Sequence, residues 1–454
     1  MIDQSATAQL AALRDGTISA AELMALTLDR IDAVNPSLNA IVALQPRDAL
    51  MEQATAPSDG PLSGLPIAIK DLADTKGITT TYGSPIFKSH IPPSDSAMVA
   101  RLRRAGAIII GKTNTPEWGL GSHSYNPVYG TTRNPYDPSK TAGGSSGGAG
   151  GALATKMVAL ADGSDMMGSL RNPAGWNNVY GFRPSYGLVP NSGPGEAFLG
   201  QLSTDGPMAR SVEDLELLLS VQSEFDPSSP HSCGPYRRAE AKPMRIGWLG
   251  DWGGAYPMEP GVLSLCEAAL SVLQDLGHEV VEMPPPFAAD ALWDAWITLR
   301  SFVVAEKFSP LYMDPAKRDL LKPEAIWEIE RGLAMSAGEV HAASVIRSDW
   351  FRKTAAMGVD VMALPSAQMF PFPADWDWPK SVAGVAMDTY HRWMEVVVPA
   401  SLTGLPALSV PAGFGPDGTP MGLQLIGHRG TDADVLALGR SYDAAQGWTA
   451  LGPG

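Results

Sequence analysis

Glycine is concentrated at residues 143–144, 147–148 and 150–151, with Ser145 and Ser146 between the first two pairs. A glycine-rich segment that opens a helix turns backbone N–H groups toward whatever the serines touch. Gly143–Gly147 and Gly144–Gly148 both satisfy the G-x-S-x-G pattern of a nucleophile elbow. That elbow needs a strand directly before it, and the preceding NPYDPSKTA is not a central strand. No Gly-Lys-Ser/Thr follows, which excludes a Walker phosphate loop. A flexible loop without chemistry is the remaining alternative. A second tight loop, GSDMMGS, places Ser169 after Gly163, Asp165 and Gly168 and ahead of Arg171 and Pro173. Successive N–H groups in such a turn can form an oxyanion hole. Lys70 ends the apolar run Pro66–Ile69. Most strand-end lysines snorkel to water. A buried one has its charged form disfavoured, and its neutral amine can activate a serine without any histidine. The seven histidines form no metal-binding spacing, and only His391 and His428 come late enough for a Ser…Asp…His order.

These residues need elements to hold them. Pro66–Ile69 reads as a buried strand, followed by a helix over about 95–105 and a strand at 107–110. Residues 126–142 read as loop. An Ala-rich helix is expected from near Gly148, then a strand over MVALA, residues 157–161. Residues 244–249 and 278–281 read as strands, with an amphipathic helix over 259–275 between them. Upstream, Ser19 and Glu22 form a capping box for a helix that Asn35-Pro36 is expected to stop. Alternating strands and helices predict an α/β fold: a large twisted sheet, mixed but mostly parallel, with helices on both faces.

Composition narrows the function. The net charge of −15 over 454 residues argues against a nucleic-acid binder, which needs a basic face for phosphates. The 44% hydrophobic content argues against global disorder. Two cysteines, Cys233 and Cys266, cannot build a disulfide scaffold. The N-terminus lacks a basic region followed by an apolar one, so no signal peptide is read. No run of ~18 apolar residues marks a membrane span. The expectation is a cytoplasmic enzyme needing no metal or cofactor, with no nucleic-acid or membrane partner and no oligomeric state specified. Nine of the 12 tryptophans fall between 241 and 400, which makes that half, with Phe302, Phe370 and Phe372, the expected wall of an apolar pocket.

Three segments in order, PIAIKD, TAGGSSGGAGGALA and GSDMMGSLRNPA, resemble the amidase signature family of C–N hydrolases. GKTNTPEWG, YGFRPSYGLVP, GLPALSVPAG and GLQLIG extend the resemblance over nearly the whole chain, weakest at about 284–395. It implies a single amidase signature domain over 1–454, with residues 284–395 shaping the substrate pocket. It also implies a Ser-Ser-Lys triad: Ser169 as nucleophile, Ser145 as the bridging residue held by a cis peptide bond, and Lys70 as base. The oxyanion hole falls on the backbone N–H groups of Met166, Met167, Gly168 and Ser169, supported by Ser146, Asp165 and Arg171. The implied partner is a small-molecule amide, or an ester or carbamate (urethane), as in aryl acylamidase-like or urethanase-like members. The alternative is the amidase-type component of a glutamine-dependent tRNA amidotransferase. Met167 stands where the family usually has glycine. Asn172 and Leu72 are further departures.

Overall fold

The computed structural model describes residues 1–453. Eleven strands form one sheet: β1 (Ile41–Val42), β2 (Pro66–Lys70), β3 (Ile108–Thr113), β4 (Leu160–Asp165), β5 (Tyr180–Arg183), β6 (Thr204–Ala209), β7 (Arg245–Trp248), β8 (Glu279–Glu282), β9 (Val361–Pro365), β10 (Ala407–Phe414) and β11 (Pro420–Gly427). Their order is β1-β3-β2-β4-β6-β5-β10-β11-β9-β7-β8. Parallel pairing occupies the two flanks, β3-β2-β4 and β9-β7-β8. The centre, from β4 across to β9, pairs antiparallel. The α/β mixed sheet is therefore built from two helix-connected parallel flanks joined through an antiparallel middle.

Alternation along the strands splits the core. Ile67 and Ile69 pack with Ile109, Leu160 and Phe182 in one apolar cluster, while Ala68 packs with Ile108, Ile110 and Ala161 in another. Three strand boundaries differ from expectation. β3 runs on through Gly111 to Thr113. β4 begins only at Leu160 and continues through Gly163, Ser164 and Asp165, residues whose turn-like composition masks a strand. Pairing with β6, residue for residue down to Asp165↔Thr204, supplies the ladder that overrides that composition.

Helix α1 (Ala20–Leu38) carries the capping box: Glu22 N–H donates to Ser19 Oγ at 3.2 Å and Ser19 N–H donates to Glu22 Oε2 at 2.8 Å. It does not stop at Asn35-Pro36. It ends at Asn39, in the left-handed conformation, with Pro36 in its last turn. The Asn35 side chain accepts from the N–H groups of Ala40 and Ile41 and so secures the exit.

The glycine-rich segment is no flexible loop. Residues Gly147–Ala154 form α2, wholly buried. A Cβ on Gly148 would lie 2.3 Å from the Asn114 backbone nitrogen, so the glycines let this helix pack at backbone distance. Helix α3 (Arg171–Trp176) follows the second loop. Further on, α4 (Ala289–Met313), α5 (Pro323–Leu333) and α6 (Ala337–Ala355) pack on one another. No helix among the described residues is long and apolar enough to cross a membrane.

Candidate active site

Lys70 is the last residue of β2 and is buried. Its backbone N–H donates to Asp162 Oδ1 at 2.9 Å, which fixes the strand end against β4. Its Nζ lies 2.8 Å from Ser145 Oγ, 2.8 Å from Ser146 Oγ and 3.0 Å from Ser164 Oγ. Burial pushes the amine down from its ordinary 10.5 to about 7, against the opposing charges of Asp162, Asp205 and Asp165. A neutral amine has two protons to give and one lone pair to receive. Three hydroxyls around it therefore leave one in position to donate to the nitrogen. The Gly144–Ser145 peptide bond is cis.

Ser169 follows Gly168, whose φ of +76° only glycine adopts without strain. A Cβ there would also meet both Val397 methyls at 2.9 Å. The loop is thus turned tightly against the residues preceding Ala400. Ser169 is buried but makes no hydrogen bond to Ser145. The Lys70–Ser145 link is formed; the Ser145–Ser169 link is left for the substrate complex, where such contacts tighten. The N–H of Gly168 donates to Asp165 Oδ1 at 2.9 Å. It is committed to holding the loop. The N–H groups of Met166, Met167 and Ser169 meet no protein acceptor among the described residues.

Asp165 organises the loop. Its carboxylate accepts from Arg171 Nε at 3.0 Å, Arg171 Nη2 at 3.1 Å, Arg183 Nη1 at 2.9 Å and Leu170 N–H at 3.2 Å. Burial alone would raise this carboxyl, but the two guanidiniums outweigh it and hold it well below the usual carboxylate range. Arg171 also reaches the far half of the chain, donating to Gln424 Oε1 at 2.7 Å, Ser401 Oγ at 2.7 Å and the Val397 carbonyl at 3.1 Å. Asp165→Asn is expected to lower stability by about 3–5 kcal/mol, since it leaves two buried guanidiniums without their counter-charge. Urea unfolding at neutral pH measures it; an unchanged midpoint would contradict the assignment.

The structure brings together Lys70, Ser145 and Ser146, and separately ties Gly168, Ser169 and Arg171 to Asp165. Sequence reasoning missed Asp162, Ser164, Arg183 and the contact of Arg300 Nη1 with Met166 Sδ at 3.2 Å. Arg183 stood within the segment YGFRPSYGLVP, but nothing local to it signalled a buried ion pair. No metal-binding group of His, Cys, Asp or Glu occurs among the described residues.

The tryptophan-rich half is mostly core. Trp252, Trp296, Trp350 and Trp393 are buried, and Phe370 and Phe372 lie with them. Met167, 4% exposed, is packed into this same cluster rather than left at an open wall. A small cleft walled by Tyr125, Trp378, Tyr390 and Trp393 includes Gly121, Ser122 and His123. That segment backs directly onto Gly144, where a Cβ would lie 2.9 Å from the His123 nitrogen.

A sequence profile of the family described as Amidase matches residues 22–436. This chain belongs to the amidase signature family. Members similar to it include the amidase-type component of the glutamyl-tRNA(Gln) amidotransferase of Thermus thermophilus, 36% identical, with 95% of this chain and 94% of that protein covered. An acylamidase of Rhodococcus erythropolis is 32% identical, covering 98% of this chain and 96% of that one. Among solved structures, a bacterial aryl acylamidase of the amidase signature family superposes with a TM-score of 0.91 at 27% identity, covering 98% of this chain and 97% of the other. The chain is thus an amidase signature C–N hydrolase, and the mixed sheet is the fold of that family.

Proposed function

We propose that this amidase signature enzyme is a stand-alone serine hydrolase of apolar or aryl carboxamides. The observation that carries this reading is the buried Lys70 amine, poised near neutrality and 2.8 Å from Ser145 Oγ. Neutral Lys70 accepts the Ser145 proton as Ser145 accepts that of Ser169. Ser169 Oγ then bonds to the substrate carbonyl carbon, and the oxyanion is received by the free N–H groups of the Met166–Ser169 loop. The C–N bond breaks as the relay returns a proton to the leaving nitrogen. Water, deprotonated by the same relay, hydrolyses the acyl-enzyme. Esters and carbamates share the tetrahedral anion and differ in the leaving group, so urethane cleavage follows from the same machinery.

The aromatic cleft beside Gly144 supports an apolar or aryl group on the substrate. The higher identity to an amidotransferase component favours a second reading, in which glutamine is the substrate and a partner protein receives the ammonia. The two separate on a single experiment. The purified chain is expected to hydrolyse 4-nitroacetanilide or a nitrophenyl carbamate with kcat/KM at least about a hundredfold above glutamine, whose charged α-groups an apolar site leaves unpaired. If glutamine is hydrolysed best, or activity requires a second protein, the amidotransferase reading replaces this one.

A further inference from the structure

A second cavity, of about 260 Å³, opens away from Lys70, Ser145 and Ser169, none of which line it. It lies between α4 and α6 under the loop before β6. Its walls are Leu202, Leu299, Phe302, Val303 and Val340. Leu199 forms its lip, 60% exposed, beside Phe198 at 66%. An apolar cavity of ~150 Å³ already takes up benzene, so this one holds an aryl ring or a medium alkyl chain.

One charged side chain lines it. Arg347, half-buried on α6, makes no ion pair, and its hydrogen bond is a long one to Ser344 Oγ at 3.3 Å. Burial lowers its basicity and no carboxylate opposes that. The nearby acidic side chain on the lip, Glu196, is already engaged. Its carboxylate accepts from the N–H groups of Phe198, Leu199 and Gly200 at 2.5, 2.7 and 3.0 Å. A half-buried guanidinium without a counter-ion, at the edge of an apolar cavity, is an unfilled half of a bidentate carboxylate contact.

We propose that this cavity is a binding site for a small apolar carboxylate, its aryl or alkyl chain between α4 and α6 and its carboxylate on Arg347 and Ser344. Acids of this kind are what hydrolysis of apolar amides releases, yet the site stands apart from the catalytic serines and does not depend on which amides are cleaved. The Leu202 carbonyl that borders the cavity accepts from Arg183 Nη2 at 2.9 Å, so the ligand rests one residue from the Asp165 cluster.

Calorimetry with octanoate, and with octan-1-ol as its uncharged counterpart, tests the proposal on the whole chain. The wild type is expected to bind octanoate at one site. Arg347→Gln is expected to weaken octanoate about tenfold or more while leaving octanol within about twofold, the loss of one charge-assisted contact. Val340→Trp, which fills the cavity, is expected to weaken both, with anilide hydrolysis and the thermal midpoint retained in each variant. The proposal is overturned if octanoate fails to bind the wild type, if Arg347→Gln binds it equally well, or if octanoate simply competes with anilide in a way neither variant alters.

Discussion

Ser169→Ala is expected to lower kcat/KM for an anilide by at least about 10⁴-fold, the scale on which removal of a serine nucleophile acts. No nearby hydroxyl can take over. Ser145 and Ser146 are each held at 2.8 Å by Lys70 Nζ, and Ser164 at 3.0 Å. The fold is expected to survive. The Ser169 side chain makes no hydrogen bond, and the loop is held instead through Gly168 and Leu170 N–H on Asp165. Initial rates on 4-nitroacetanilide, with the thermal midpoint of the same preparation, decide it. A well-folded variant that keeps a tenth or more of its activity removes Ser169 from the mechanism.

The second large effect belongs to Lys70. Burial lowers its amine to about 7, so the neutral base is the majority form above that pH and the ammonium below it. In a profile of kcat/KM, activity is expected to fall tenfold per unit as pH drops below about 7, and to level off above it. Lys70→Met, which keeps much of the length and loses the base, is expected to cost about 10²–10⁴-fold and to abolish that acid limb. A wild-type profile that is flat from pH 5 to 9 with chemistry rate-limiting would show that another group carries the proton.

The parts of the site that local pattern can carry were legible. An apolar run ending in lysine reads as a strand delivering Lys70, and it does. Glycines around two serines read as a segment of close backbone approach, and α2 packs that way. What escaped were features decided by distant partners. The turn-like Gly163-Ser164-Asp165 is a strand only because β6 pairs with it. Asp165 reads as a supporting residue, yet whether it meets Arg171 alone or also Arg183 depends on how β4, α3 and β5 come together. Gly168 could be placed in the loop, but its N–H is committed to Asp165, and no spacing announces that. Tryptophan abundance marked the second half, where burial, set by the packing of α4 to α6, made most of it core.

Lys70 also bears on how firmly the protein holds together. In an unfolded chain a lysine keeps its proton to about pH 10.4, whereas here it gives it up near 7. Between those values unfolding takes up a proton, so the native state gains stability as pH rises through that window. At pH 7 the discomfort of that one side chain amounts to about 4 kcal/mol, which is gone once both states are neutral. That is a sizeable share of the 5–15 kcal/mol by which folded proteins typically outlast their unfolded chains. The base is therefore a resident tax on the fold, borne by the packing of the sheet around it, and the chain is at its most secure in mildly alkaline solution, on the side of the profile where that base is also ready to work.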